Sequence, residues 1–227
     1  MVAQFRDRSH AGRLLAERLT AYAGAAGVLV LALPRGGVPV AHEIAQALGA
    51  PWDVFIVRKL GVPGYEELAM GAVASGGVRV LNRDIVEGLD ISSDAIEQVA
   101  ATELQEVERR ERAYRGPRPA PEVRDRTVIL VDDGLATGAC MRAAIAALRR
   151  QHPARLVVAV PVGGSAACAE IRTEVEELVC LMTPVWFNGI GAYYRDFAQL
   201  TDDEVRALLQ SAGASVPPRV LDMPVNH

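Results

Sequence analysis

Two adjacent carboxylates, Asp132 and Asp133, end the apolar run of "TVILVDDGLATGAC" (Thr127 to Cys140), and small residues follow them at once. Neighbouring carboxylates cannot both leave water cheaply without partners, and this loop contains no cation of its own. A hydroxyl-rich ligand or a bound Mg²⁺ would supply what they lack. Just downstream, "ATGAC" opens a helical pattern. Free backbone N–H groups and the helix dipole favour an anion there, and Gly138 lets a phosphate approach the main chain. The stretch therefore offers acceptors for a diol beside a cradle for a phosphate, which is the layout of a ribose 5-phosphate. The plain structural alternative is that Asp133 or Thr137 caps the next helix and Asp132 pairs with an Arg. A P-loop is excluded because no Lys follows Gly138.

Three further stretches could join this chemistry. In "LALPRGGVPVA" (Leu31 to Ala41), Arg35, Gly36 and Gly37 lie between an apolar run and a helix start, a second anion-binding junction or an ordinary turn. "VRKLGVPGYEELAMGAVASGG" (Val57 to Gly77) starts with Arg58 and Lys59 at a strand end, a cation pair for an anionic group or two solvated surface charges. The rest of that segment reads as a mobile loop, with Glu66 and Glu67 in solvent. "PVWFNGIGAYYRDF" (Pro184 to Phe197) gathers Trp186, Phe187, Tyr193, Tyr194 and Phe197 in a chain only 5% aromatic. These rings could stack on a planar ligand or simply cover a sheet edge, and Trp186 and Phe187 are favoured as ligand neighbours. His10, His42 and His152 fall in or beside helical patterns without a companion ligand for a metal.

The elements that must position these residues are short, Val-rich runs: Gly27 to Leu33, Asp53 to Arg58, Val78 to Leu81, Thr127 to Val131, Arg155 to Pro161 and Glu177 to Met182. They mostly lack alternation, as parallel strands covered on both faces do. Helical patterns lie between several of them, at Val38 to Leu48, Gly138 to Gln151 and Ser165 to Val175. Strand and helix alternation predicts an α/β fold, a mostly parallel sheet flanked by helices with a Rossmann-like core. In such sheets ligands bind beyond the carboxyl ends of the strands, where Asp132 and Asp133 stand. The absence of G-x-G-x-x-G after the first run speaks against a dinucleotide site. Helices at Ser9 to Ala23 and Ser93 to Tyr114 read as peripheral, the second with a solvated, charge-dense face. Arg115 to Asp125 is a Pro-rich connector. One domain over 1–210 is expected, with a small hood from 184–200 and the N-terminal segment, and a loose tail over 211–227.

A chain of 227 residues, 50% of them hydrophobic, can bury one substantial core. Its net charge of −4 provides no basic field to hold nucleic acid. Three widely spaced Cys fit neither a disulfide framework nor a zinc site, and point to a reducing cytoplasm. No apolar run approaches the ~20 residues of a membrane span, and the first residues do not form a signal peptide.

The stretch from Thr127 to Cys140 resembles the PRPP-binding motif of type I phosphoribosyltransferases. The combination of "PRGG", "RKLG" and "GAYYRDF" is similar to a bacterial group within that family. The resemblance implies that Asp132 and Asp133 hold the ribose 2- and 3-hydroxyls and, directly or through water and those hydroxyls, Mg²⁺. Ala136, Thr137, Gly138, Ala139 and Cys140 would surround the 5-phosphate; the family usually closes this loop with Thr or Ser, and the Cys140 thiol is a weaker donor. Arg35, Gly36 and Gly37 would meet the pyrophosphate, and Arg58 and Lys59 would begin the catalytic loop. Trp186 and Phe187 would lie in the hood that binds the acceptor. The implied reaction moves the ribose 5-phosphate of PRPP to a nitrogen acceptor, in the first instance a nucleobase, with release of pyrophosphate through an oxocarbenium-like state. Members acting on 6-oxopurines carry an Asp where this chain has Ala136, which argues against hypoxanthine or guanine. A PRPP- or nucleotide-sensing regulator of the same fold is the alternative. The implied partners are small molecules, and a homodimer is left open.

Overall fold

A computed structural model describes residues 4–213. Its elements are α1 (Arg8–Arg18), β1 (Val28–Ala32), α2 (Gly37–Leu48), β2 (Trp52–Val54), β3 (Val57–Val62), β4 (Tyr65–Ala74), β5 (Val78–Leu81), α3 (Arg83–Gly88) and α4 (Ser93–Arg115). After these come β6 (Thr127–Val131), α5 (Ala139–Arg149), β7 (Arg155–Val162), α6 (Ser165–Glu174), β8 (Glu177–Met182) and α7 (Asp202–Gly213).

Five strands form one parallel sheet in the order β2-β1-β6-β7-β8. Every residue of β1 is buried, because both faces of the sheet are covered. Alternate side chains divide between two cores. Val28, Val30, Ile129 and Val131 share one core with residues of α1, α2, α4 and α7, while Leu29, Leu31, Val128 and Leu130 share the other with residues of α5 and α6. From β1 the chain crosses by α2 to β2 on one side, and from β6 it crosses by α5 to β7 on the other. The topology therefore switches between β1 and β6, and a crevice opens there beyond their carboxyl ends.

The run from Asp53 to Arg58, expected as one strand, is split. β2 ends at Val54; Phe55 N–H donates to Ala32 C=O at 2.8 Å, and at Ile56 the backbone changes partner, exchanging bonds with Ser75 (Ile56 N–H to Ser75 Oγ 2.9 Å; Ser75 N–H to Ile56 C=O 2.8 Å). From Val57 the chain belongs to a second, antiparallel sheet, β3-β4-β5. The segment that read as a mobile loop is thus a hairpin of this sheet, and Val78–Leu81 pairs with β4 instead of joining the parallel sheet. Close backbone approach explains part of its small-residue content: a Cβ on Gly71 would lie 2.3 Å from the Val80 carbonyl oxygen.

α4 is less peripheral than its charges suggest. It buries Ile96, Ala100, Val107 and Tyr114, while Glu106 pairs with Arg109 and Arg110 on its outer side. α7 occupies the end of the expected domain and the first residues of the expected tail, and buries Val205 and Leu209. It starts with a capping box: Thr201 Oγ1 accepts from Glu204 N–H at 3.2 Å and Thr201 N–H donates to Glu204 Oε2 at 2.7 Å. The remainder of the expected tail, 214–227, lies outside the described residues. Among the described residues, no helix is long and apolar enough to cross a membrane.

Candidate functional site

The crevice is built by two loops that follow β1 and β6. Leu33 N–H donates to Val131 C=O at 2.8 Å and draws the loops together. Only glycine permits the resulting contact. A Cβ on Gly36 would stand 2.0 Å from Asp133 Oδ2, and one on Gly37 would stand 2.6 Å from the Val131 carbonyl oxygen. The Pro34–Arg35 peptide of this turn is cis. Arg35 itself is exposed, with its guanidinium 3.9 Å from Asp202 at the start of α7.

Asp133 is only 7% exposed. Its Oδ2 accepts from Arg8 Nε at 2.8 Å, and its carbonyl accepts from the Tyr194 hydroxyl at 2.7 Å. Asp132 Oδ1 accepts the Asp133 backbone N–H at 2.8 Å. Each carboxylate thus spends one oxygen inside the protein. Among the described residues, no hydrogen bond reaches Asp132 Oδ2 or Asp133 Oδ1.

Burial pushes Asp132 well above the usual carboxylate range, and the charge of Asp133 adds to that shift. Burial also raises Asp133, opposed by the hydrogen bond and charge of Arg8. Ionising both groups at once is therefore disfavoured in this setting, and a cation or hydroxyl donors at the free oxygens would offset that cost. Burial, followed by the Asp133 charge, pushes the Tyr194 phenol upward and keeps it a hydrogen-bond donor.

Beyond the acid pair, Ala136, Thr137, Ala139 and Cys140 are exposed around the start of α5. Gly138 takes the left-handed conformation, φ 75°, that begins this helix, and Ala139 N–H of the first turn donates to the Thr137 hydroxyl at 3.4 Å. The Cys140 thiol is pushed up by loss of hydration and by Asp132, while Lys59 and then Arg58 pull it down. Both cations therefore act on this loop, but they do not form one cluster. Successive residues of β3 point to opposite faces, and Arg58 Nε meets Glu103 Oε2 of α4 at 2.6 Å.

Phe187 stacks on Tyr193 with centroids 5.8 Å apart. A Cβ on Gly164 would lie 3.6 Å from the Ala136 carbonyl oxygen and 3.7 Å from the Phe187 ring, so that ring flanks the phosphate-loop candidate. Trp186 is 83% exposed, and its carbonyl accepts from the Tyr193 hydroxyl at 2.8 Å.

Arg8 and Tyr194 were not among the residues the sequence singled out for the site, although Tyr194 belongs to the aromatic cluster. They come from opposite ends of the described chain. Phe5 N–H donates to Tyr193 C=O and Arg195 N–H to Phe5 C=O, which knits the two ends together behind the acid pair. The Asp7 cap on His10 N–H starts α1 directly before Arg8, but no local pattern marks Arg8 itself as a partner of Asp133.

Two carboxylates supply hard oxygen donors, and among the described residues no three His, Cys, Asp or Glu side chains gather to hold a metal alone. That donor set fits Mg²⁺, which takes one or two carboxylates and completes its shell with ligand oxygens and water.

Residues 4–196 match the family model described as "Phosphoribosyl transferase domain". Proteins from two strains of Mycobacterium tuberculosis, each named "Putative phosphoribosyl transferase", are 47% identical over 208 residues, covering 92% of this chain and 47% of theirs. The chain thus spans about half the length of these curated relatives. The crystal structure of TT1426 from Thermus thermophilus superposes with a TM-score of 0.84 at 44% identity, covering 92% of this chain and 98% of that one.

Proposed function

The chain belongs to the phosphoribosyl transferase domain family, and from that premise we propose that it transfers the 5-phosphoribosyl group of PRPP to a nitrogen acceptor, releasing pyrophosphate. The observation that carries this reading is the acid pair with one oxygen left on each carboxylate, set beside an exposed helix start. Vicinal hydroxyls each present a donor to one of those oxygens, and a phosphate accepts from the helix N–H groups.

Asp132 Oδ2 and Asp133 Oδ1 receive the ribose 2- and 3-hydroxyls, while the backbone from Ala136 to Cys140 and the Thr137 hydroxyl hold the 5-phosphate. Arg35, Gly36, Gly37 and Lys59 receive the pyrophosphate, and Arg58 adds charge from the hairpin. The Arg35 link to Asp202 is long and nearly half exposed, so it restrains the guanidinium weakly. Asp132 and Asp133, directly or through water and the ribose hydroxyls, would hold Mg²⁺, which would supply positive charge to offset that of the leaving pyrophosphate. The C1–O bond to pyrophosphate breaks, the acceptor nitrogen bonds to C1 from the opposite face, and the acceptor's proton leaves to solvent or pyrophosphate. No protein nucleophile takes part; the residues act by position and charge. Phe187 supplies an aromatic wall beside Ala136 for a planar acceptor, a nucleobase other than hypoxanthine or guanine, and Trp186 stands exposed next to it. The cytoplasmic setting suggested by the cysteines goes with this proposal.

The test is acceptor-dependent pyrophosphate release from Mg²⁺ and PRPP across purine, pyrimidine and other nitrogen acceptors, with Asp133→Asn as control. Release with one acceptor, lost in the variant along with at least about a hundredfold in PRPP affinity, is the expected result. PRPP binding without release from any acceptor would replace transfer by ligand sensing, and no PRPP binding would end the reading.

A further inference from the structure

We propose that Arg8 is a positioning residue of the ribose subsite, holding Asp133 by one carboxylate oxygen so that the other faces the ligand. The inference rests on the PRPP reading of the site. Arg8 is fixed on three sides. Its Nε donates to Asp133 Oδ2 at 2.8 Å, its Nη1 donates to Ala198 C=O at 2.9 Å, and its guanidinium carbon lies 3.9 Å from the centre of the Phe197 ring. The two ionic side chains are 11% and 10% exposed, so water does little to loosen them.

Three properties follow. A carboxylate gripped at Oδ2 has a fixed plane, and Asp133 presents a single acceptor oxygen instead of a two-oxygen chelate. The Tyr194 hydroxyl pins the backbone of the same residue at 2.7 Å, so the plane is fixed relative to β6 and not merely to Arg8. Gly36 then brings the pyrophosphate-loop candidate against the gripped oxygen, which leaves Oδ1 as the free acceptor. The N-terminal helix and the segment after β8 thus complete a subsite whose carboxylates come from the middle of the chain.

Arg8 does not reach the pyrophosphate loop in this arrangement: among the described residues its polar partners are Asp133 and Ala198. The experiment therefore compares two probes, PRPP and inorganic pyrophosphate, each titrated calorimetrically with Mg²⁺ into the full chain. Wild-type protein that binds pyrophosphate but not PRPP would overturn the ribose reading itself. Given PRPP binding, Arg8→Gln is expected to weaken PRPP by about tenfold while pyrophosphate stays within about twofold of wild type. Arg8→Lys keeps a donor but loses the planar fork and is expected between the two. Unchanged PRPP affinity in Arg8→Gln, or equal losses for both probes, would overturn the positioning role. If Arg8→Gln does not fold, Phe197→Leu tests the same claim by removing the ring under the guanidinium. About threefold weaker PRPP with unchanged pyrophosphate supports it, and wild-type PRPP affinity overturns it.

Discussion

Asp53 in β2 and Asp133 just after β6, the two strands that flank β1, are both buried carboxylates, and both are gripped by an Arg from a distant helix. They differ in what is left over. Asp53 gives Oδ1 to Val54 N–H at 2.7 Å and Oδ2 to Arg115 Nε at 2.9 Å, and Arg115 is in turn held by Glu111 and the Val54 carbonyl. Both Asp53 oxygens and all three Arg115 nitrogens are engaged within the protein, and the guanidinium is shared with Glu111. Asp133 keeps one oxygen in reserve and stands beside Asp132, which among the described residues pairs with no Arg. A buried acid is therefore no mark of a site in this fold; an acceptor withheld from the protein is.

The contrast can be broken from either side. Arg115→Ala strands the buried Asp53 carboxylate, and the expected cost is about 3–5 kcal/mol in urea denaturation. Its PRPP affinity, measured below the unfolding transition, stays within about twofold of wild type. A parallel collapse of binding would show that the closed pair also serves the site.

Gly36→Ala acts on the open pair with a smaller effect. The new methyl must displace Asp133 Oδ2, and PRPP affinity falls by about tenfold or more while stability drops by about 1 kcal/mol. Wild-type affinity in that variant would mean that the pyrophosphate-loop candidate and the acid pair do not share a wall in solution.

Asp132→Asn changes stability by no more than Gly36→Ala does, and its sign is the informative part. Because the folded carboxyl is raised by burial and by Asp133, the stability tied to its protonation is present below the unfolded value, near 4, and is lost as pH rises through the folded value. The ligand-free variant escapes that loss and is expected to gain roughly 1 kcal/mol at pH 7, about 2–4 °C in Tm, with no gain at pH 4. PRPP binding is lost in the same variant. A protein that lost both stability and binding would place Asp132 among the closed pairs.

The open pair was legible in the sequence because its parts are contiguous: strand, acids, small loop and helix follow one another within Thr127 to Cys140. What Arg8 and Tyr194 do was not legible. Arg8 is 125 residues from Asp133, and a single Arg after Asp7 looks like any solvated charge at a helix start. Arg115 illustrates the same limit, since it opens a Pro-rich run in sequence yet forms the buried end of α4. The break between β2 and β3 escaped because Val54 to Val57 is uniformly apolar, and only the change of hydrogen-bond partner at Ile56 reveals that the chain has left one sheet for another. α7 could have been found, since Thr201 and Glu204 carry the spacing of a capping box.

That handover at Ile56 and Ser75 also sets the mechanics of the antiparallel sheet. β3 leaves the parallel sheet there and extends through six residues, about 20 Å, to a tip where Tyr65 is 73% exposed. Besides two ion pairs to α4, Arg58 to Glu103 and Arg79 to Glu97, the hairpin is held by Leu60, Val62, Met70 and Val73, which are buried in one core with Ile96, Ala100 and Val107 of α4. Any tilt of the hairpin as a body would have to break that packing, so the part that can move at little cost is the turn around Tyr65.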